Sequence, residues 1–216
     1  MKLLTCEFPD DLLYLPEEGL WARRDGGLIV LGLDSTLVWL SGRFTKVGFK
    51  PTGSALKRGE SCGWVEGLKR FDVVRAPFPC TLIEANQMLS QDPRILNKDP
   101  YGLGWFVRVS PAEDAAGLLT LPEAARQIES RLKQLGVRCF AEFPDEELVE
   151  VGVECSAVLT MLGERLSALP KGSVIHLVSD DPSAELEMVR WSAETGNPLL
   201  EHRKEGELHH FLLKRG

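Results

Sequence analysis

One short polar patch between two apolar runs constrains this chain more than any other stretch. Cys62-Gly63-Trp64-Val65 leads into Glu66-Gly67-Leu68-Lys69-Arg70, and Phe71-Asp72-Val73-Val74 follows, ending at Ala76-Pro77. Apolar run, polar turn and apolar run together predict a β-hairpin. Gly67 is available for the positive φ that such a turn can require. Lys69 then lies at or near an exposed tip, where a lysine is ordinarily no more than a solvated charge.

Around this hairpin the chain is long enough, at 216 residues, for one large or two small domains. Its apolar content of 44% is enough to build a core. The net charge of −7 argues against a nucleic-acid binder, which needs a basic face to neutralise phosphates. There is no basic segment followed by an apolar run at the start and no apolar stretch of membrane-spanning length. No signal peptide, transmembrane helix or membrane partner is therefore expected. Cys6, Cys62, Cys80, Cys139 and Cys155 are odd in number and widely spaced. That pattern argues against a disulfide framework and fits no CxxC zinc site, so a reducing cytoplasm is the expected location.

Read in order, residues 1–20 are mostly loop. Asp25-Gly26 between apolar runs predicts a hairpin from Trp21-Ala22-Arg23-Arg24 into Leu28–Leu33. Thr36–Leu40 reads equally as a strand or a short helix. Thr45–Phe49 is strand-like, and Gly59 is the position best suited to a strained turn angle. Thr81–Ala85 is a strand, Gln87–Ser90 a helical turn ended by Asp92-Pro93, and Gly104–Val109 a further strand. Asp99-Pro100-Tyr101-Gly102 reads as a structural turn. Pro122 to Gly136 is a helix with Ala124, Ile128, Leu132 and Leu135 on one face, proline in its first turn and glycine at its end. Cys139 falls in the connector beyond it.

Val65-Glu66-Gly67-Leu68-Lys69 resembles the lipoyl-attachment motif V-E-S-[VTI]-K of the H protein of the glycine cleavage system. Ala76-Pro77, Glu84-Ala85-Asn86, Asp92-Pro93, Ile95-Leu96-Asn97 and Asp99 to Trp105 follow that family's order and spacing without a gap. The resemblance implies an all-β lipoyl domain (a barrel-sandwich hybrid) with a C-terminal helix over residues 1–136. It also implies lipoate in amide linkage on Lys69, with Glu66 at the motif's acidic position aiding recognition by a lipoate ligase or lipoyl transferase. This chain departs from the family at Gly19-Leu20, where a His-Glu pair is usual, at Arg70, which replaces a small residue, and at Cys80, which replaces a glycine.

From Leu148 a different pattern starts. Leu148–Gly152 is a strand, Ala157–Leu166 a helix, Ser173–Val178 a strand, Ser183–Ala193 a helix opened by Asp180-Asp181-Pro182, and Leu199–Arg203 with Leu208–Leu213 a hairpin. The order β-α-β-α-β-β predicts a two-layer α/β sandwich with both helices on one sheet face. Residues 145–216 resemble the small TusA-like sulfur carriers through Gly152-Val153-Glu154-Cys155, Leu169-Pro170-Lys171-Gly172 and Asp180-Asp181-Pro182, while Ser156 and Val158 replace that family's two prolines. Cys155 at a helix N-terminus has a physical reason to favour thiolate, the form that accepts sulfane sulfur as a persulfide. Glu154 opposes this, and the alternative is a buried small apolar residue. Cys62 and Cys80 read as structural thiols. His209 and His210 are adjacent on a strand and point to opposite faces, and no metal site is assigned.

Together the two resemblances imply a covalent carrier, not an enzyme: a lipoyl arm on Lys69 shuttles a sulfur-bound group between partners such as a heterodisulfide-reductase-like complex, with Cys155 as a delivery point. A glycine-cleavage H protein carrying an aminomethyl group from glycine decarboxylase is the alternative. A non-catalytic interaction protein in which both sites have lapsed is the third reading.

Overall fold

The computed structural model describes residues 1–216, which fall into two compact units, Met1–Cys139 and Phe140–Gly216. In the first unit, β1 (Lys2–Leu3), β2 (Cys6–Glu7), β3 (Leu13–Leu15), β4 (Leu20–Asp25) and β5 (Leu28–Leu33) lead to helix α1 (Ser35–Ser41). There follow β6 (Phe44–Phe49), β7 (Ala55–Leu56), β8 (Ser61–Gly67), β9 (Phe71–Arg75), β10 (Cys80–Ala85), α2 (Gln87–Gln91), α3 (Ile95–Lys98), β11 (Trp105–Pro111), β12 (Leu119–Thr120) and α4 (Leu121–Leu135). A seven-stranded sheet runs β12-β3-β4-β5-β11-β10-β7, and a three-stranded sheet runs β6-β8-β9. Both are antiparallel throughout, as short hairpin connections dictate.

Thr36–Leu40, which reads two ways in sequence, is helical because both ends of its first turn are satisfied. Asp34 caps the helix by accepting from the Leu37 N–H, and the Tyr101 hydroxyl accepts from the Ser35 N–H. Helix α4 is held by a capping box between Thr120 and Glu123 and ends on Gly136 at φ 63°. Its buried face is Leu121, Ala124, Ile128 and Leu132, packed on Phe8, Leu12, Tyr14, Trp21 and Val30. Leu135, expected on that face, is exposed, because the helix stops before its next turn reaches the core.

The cysteine count misleads. Cys6 and Cys139 are joined by a disulfide with their Cα atoms 4.9 Å apart, and both lie in the core beneath α4. The Cys139 N–H also donates to Thr5 Oγ1. A single bond across 133 residues leaves no spacing pattern to read, and the other three cysteines stay free. Residues 1–20 are likewise more ordered than expected, carrying three short strands.

The second unit comprises β13 (Glu146–Glu150), α5 (Cys155–Ala168), β14 (Val174–Ser179), α6 (Ala184–Thr195), β15 (Leu199–Glu205) and β16 (Leu208–Lys214). The sheet order is β13-β14-β16-β15, with β13 parallel to β14 and the other pairs antiparallel. Val158, Leu162 and Leu166 of α5 and Ala184 and Met188 of α6 pack against Ile175, Leu177, Phe211 and Leu213, so both helices cover one face.

Candidate functional site

The Lys69 turn joins β8 to β9, and the C-terminal end of α1 anchors its main chain. The Lys69 N–H donates to the Ser41 carbonyl at 3.1 Å and the Leu68 N–H to the Arg43 carbonyl at 2.9 Å. Gly67 closes the turn by donating to the Arg70 carbonyl. It does not adopt the positive φ expected for it. A side chain is excluded there because a Cβ would stand 2.1 Å from the Ser41 carbonyl oxygen. Gly42 is the residue with the special angle, φ 73° and ψ −165°, a region open essentially to glycine alone. The aliphatic stem of Lys69 lies over it: a Cβ on Gly42 would be 2.9 Å from Lys69 Cγ.

The residues between Glu84 and Trp105 explain why this platform is rigid. Asn97 in α3 is buried. Its Oδ1 accepts from the Phe44 N–H at 2.9 Å, and its Nδ2 donates to the Gly42 carbonyl at 3.1 Å. It therefore fixes both sides of the Gly42–Phe44 connector on which the lysine turn rests. Asn86 caps α2 and donates to the carbonyls of Leu103 and Trp105. Asp99 accepts from the Gly102 and Leu103 N–H groups, so the Asp-Pro-Tyr-Gly segment is a structural turn. Tyr101 carries that turn's rigidity to the start of α1. At the other end, Ser41 Oγ donates to Asp72 Oδ2, and Arg70 forms an ion pair with Asp72. Arg70, unusual for the motif, thus belongs to a hydrogen-bonded chain from β9 to α1.

Lys69 and Leu68 are exposed. The half-buried Glu66 pairs with Lys46 across the neighbouring strand at 3.4 Å. Phe71 stacks on Trp64 and, with Leu68 and Val73, leaves apolar surface around the tip. Gly19, which stands in place of an expected polar residue, has φ 69° and lies against Leu37 of α1. Cys62 and Cys80 are buried, and burial pushes their thiols up to about 12 and about 11, as befits inert packing groups.

Cys155 is the first residue of α5 and is buried. Its thiol is raised above the ordinary value, by burial and then by the charges of Asp181 and Glu187, which outweigh a hydrogen bond with Ser183. The sequence reading of a thiolate-favouring helix end is corrected here on a physical ground. Asp181 Oδ2 accepts the Cys155 backbone N–H, so a carboxylate already takes one of the donors of this helix end and sets a negative charge beside the sulfur. Asp181 Oδ1 meanwhile accepts from the Ser183 N–H and hydroxyl, and Asp180 accepts from the Gly152 N–H. The acidic pair ties the starts of α5 and α6 together. The sequence reading missed this link, although both aspartates stand beside a helix start.

The arrangement around Lys69 sets an exposed lysine on a braced turn and is suited to presenting it to other proteins. That is the geometry of a carrier domain. Residues 12–134 match the glycine cleavage H-protein family. The chain is 33% identical over 141 residues to glycine cleavage system H protein 5 of Aquifex aeolicus, covering 62% of this chain and 95% of that protein. It is 38% identical over 119 residues to the glycine cleavage system H protein of Anaeromyxobacter sp. (strain K), covering 55% of this chain and 91% of that protein. The crystal structure of a glycine cleavage system H protein from Mycobacterium marinum superposes with a TM-score of 0.50 at 29% identity, covering 60% of this chain and 100% of that one. This chain belongs to the glycine cleavage H-protein family. Members of that family are carriers, not enzymes, and hold lipoate covalently on a lysine.

Proposed function

We propose that this chain is a lipoyl carrier modified on Lys69, and that its cargo is a sulfur-bound group passed between partner enzymes in sulfur transfer or oxidation. The observation that carries the lipoyl-carrier part of this reading, whatever the cargo, is the support of the lysine turn: Ser41 and Arg43 receive its N–H groups, and Asn97 clamps the connector beneath. A ligase needs a lysine in reach on a fixed turn, and Lys69 is exposed on one. Glu66 and the apolar surface of Leu68, Phe71 and Val73 give a lipoate ligase or lipoyl transferase its local features to recognise. Bound lipoate supplies a dithiolane that opens, takes a group on sulfur and travels on a long arm. The chain's own residues position the arm.

In this reading residues 1–136 form the lipoyl carrier domain and residues 145–216 a TusA-like sulfur-carrier domain with Cys155 as the delivery point. Support comes from the β-α-β-α-β-β order with both helices on one face. The glycines of the resemblance, Gly152 at φ 74° and Gly172 at φ 80°, are in conformations that favour glycine. Because Cys155 is held as a thiol, its loading with sulfur is expected to be slow and to accelerate at high pH. The cytoplasm is the proposed place of work, but the Cys6–Cys139 disulfide removes the cysteine argument for it, because such a bond is rare in a reducing compartment.

A second reading has its own support. The relatives named above are called glycine cleavage system H proteins, which favours an aminomethyl cargo loaded by glycine decarboxylase. Full-length chain with its lipoyl arm reduced to the dithiol and offered a persulfide donor, in parallel with chain whose arm is the oxidised dithiolane offered glycine with glycine decarboxylase, separates the two by intact mass. Added sulfur on the arm, then on Cys155, is expected. Aminomethyl loading without sulfur uptake would replace the first reading by the second, and neither loading would leave a non-catalytic interaction protein.

A further inference from the structure

Adjacent His209 and His210 point to opposite faces of β16, and on that ground the sequence reading assigns no metal site. The β15–β16 hairpin supplies the partner that adjacency cannot. His202 pairs in register with Phe211, two residues beyond His209, so His202 and His209 are diagonal neighbours on the helix-covered face. His202 Nε2 and His209 Nδ1 are 3.0 Å apart. Glu185, in the first turn of α6, reaches towards them, with Oε1 3.5 Å from His202 Nδ1. One ligand atom from each of Glu185, His202 and His209 falls within 4.8 Å of the others.

We propose that Glu185, His202 and His209 form a binding site for a divalent cation of the zinc class. Ligands about 2.0–2.1 Å from a tetrahedral zinc stand roughly 3.3 Å from one another. The two imidazole nitrogens are already close to that separation. Both rings project from paired strands and are near parallel, with 4° between their planes. Glu185 now faces His202 Nδ1, the nitrogen opposite the one that faces His209, so one ion held by all three requires the exposed Glu185 side chain to swing towards His202 Nε2. Two neutral nitrogens and one carboxylate suit zinc better than calcium or magnesium, which take oxygen ligands. Three protein ligands leave a fourth tetrahedral position for water or an incoming thiol.

The test is a Zn²⁺ titration of untagged full-length chain, stripped with chelator beforehand, followed by calorimetry. One-to-one binding is expected, weakened at least tenfold in His202→Gln and in His209→Gln. Glu185→Gln changes an exposed residue, keeps the fold and is expected to weaken binding several-fold. Cys155→Ser is expected to bind as the parent does. Co²⁺ in place of Zn²⁺ should give the visible absorption of a tetrahedral site with nitrogen and oxygen ligands, without thiolate charge-transfer bands. Absence of saturable binding, equal binding in Glu185→Gln and the His202→Gln/His209→Gln pair, or loss of binding in Cys155→Ser would overturn the proposal.

Discussion

Asn97→Ala is the substitution that most sharply tests how the lysine turn is held. Asn97 is 8% exposed, and its amide satisfies one buried donor, the Phe44 N–H, and one buried acceptor, the Gly42 carbonyl. Truncation leaves both without that partner. At about 1–3 kcal/mol for each stranded group, the expected loss is roughly 3 kcal/mol, near the low end of the sum because water reaches an emptied site. For a unit of this size that lowers Tm by about 10 °C. The damage should be local before it is global: hydrogen exchange read by mass spectrometry should speed up at least tenfold at Phe44, Leu68 and Lys69, ahead of the β4–β5 amides. Asn97→Asp separates the two bonds. Its carboxylate still accepts from Phe44 but sets a second oxygen against the Gly42 carbonyl, so it should be as damaging at pH 7 and recover partly in acid. An Asn97→Ala chain whose Tm stays within about 2 °C of the parent, with unchanged exchange at Leu68 and Lys69, would refute this account of the platform.

Three further outcomes follow from individual groups. Burial raises Asp34 from 3.8 to about 6, so the folded chain binds a proton that the unfolded chain releases; stability contributed here is present below pH 4 and is lost as pH rises to 6, by about 3 kcal/mol. Asp34→Asn keeps an acceptor for Leu37, and denaturant unfolding at pH 4.5 and 7 should show its stability relative to the parent rising with pH; a pH-independent difference would contradict the assignment. Reduction of Cys6–Cys139 should cost the first unit about 2–5 kcal/mol, and Cys6→Ser should abolish the response to reductant in the same unfolding assay. Alkylation of Cys155 at pH 7 should run slower than that of a free cysteine, and Asp181→Asn should accelerate it several-fold, read as modified mass against time.

Much of the lysine site was legible in sequence because its signals are local. Two apolar runs around Glu66–Arg70 give the hairpin, and the spacing from Ala76-Pro77 to Trp105 gives the family. The reasons behind individual residues were not legible, since they lie in contacts between distant segments. Gly67 is small because Ser41 approaches it, Asn97 is placed to serve Gly42 and Phe44, and Tyr101 to serve Ser35. The stretch Thr36–Leu40 was ambiguous because five apolar and polar residues satisfy either period, and Asp34 and Tyr101 decide it from outside. Likewise the Cys6–Cys139 bond and the His202–His209 pair arise from strand register and chain closure, which spacing along the sequence does not encode. Cys155 shows the reverse case: burial and a specific carboxylate, Asp181, which takes one N–H of the helix end, oppose a general rule about helix ends.

The central claim is that Lys69 bears the arm. The most direct test is the intact mass of the full chain coexpressed with a lipoate ligase and fed lipoate, beside Lys69→Arg, which keeps the charge and removes the amide-forming amine. The account predicts a single lipoyl adduct that peptide mapping places on Lys69 and that is missing from the arginine variant. An unmodified parent under conditions that lipoylate a known H protein, or an adduct that persists in Lys69→Arg, would contradict it.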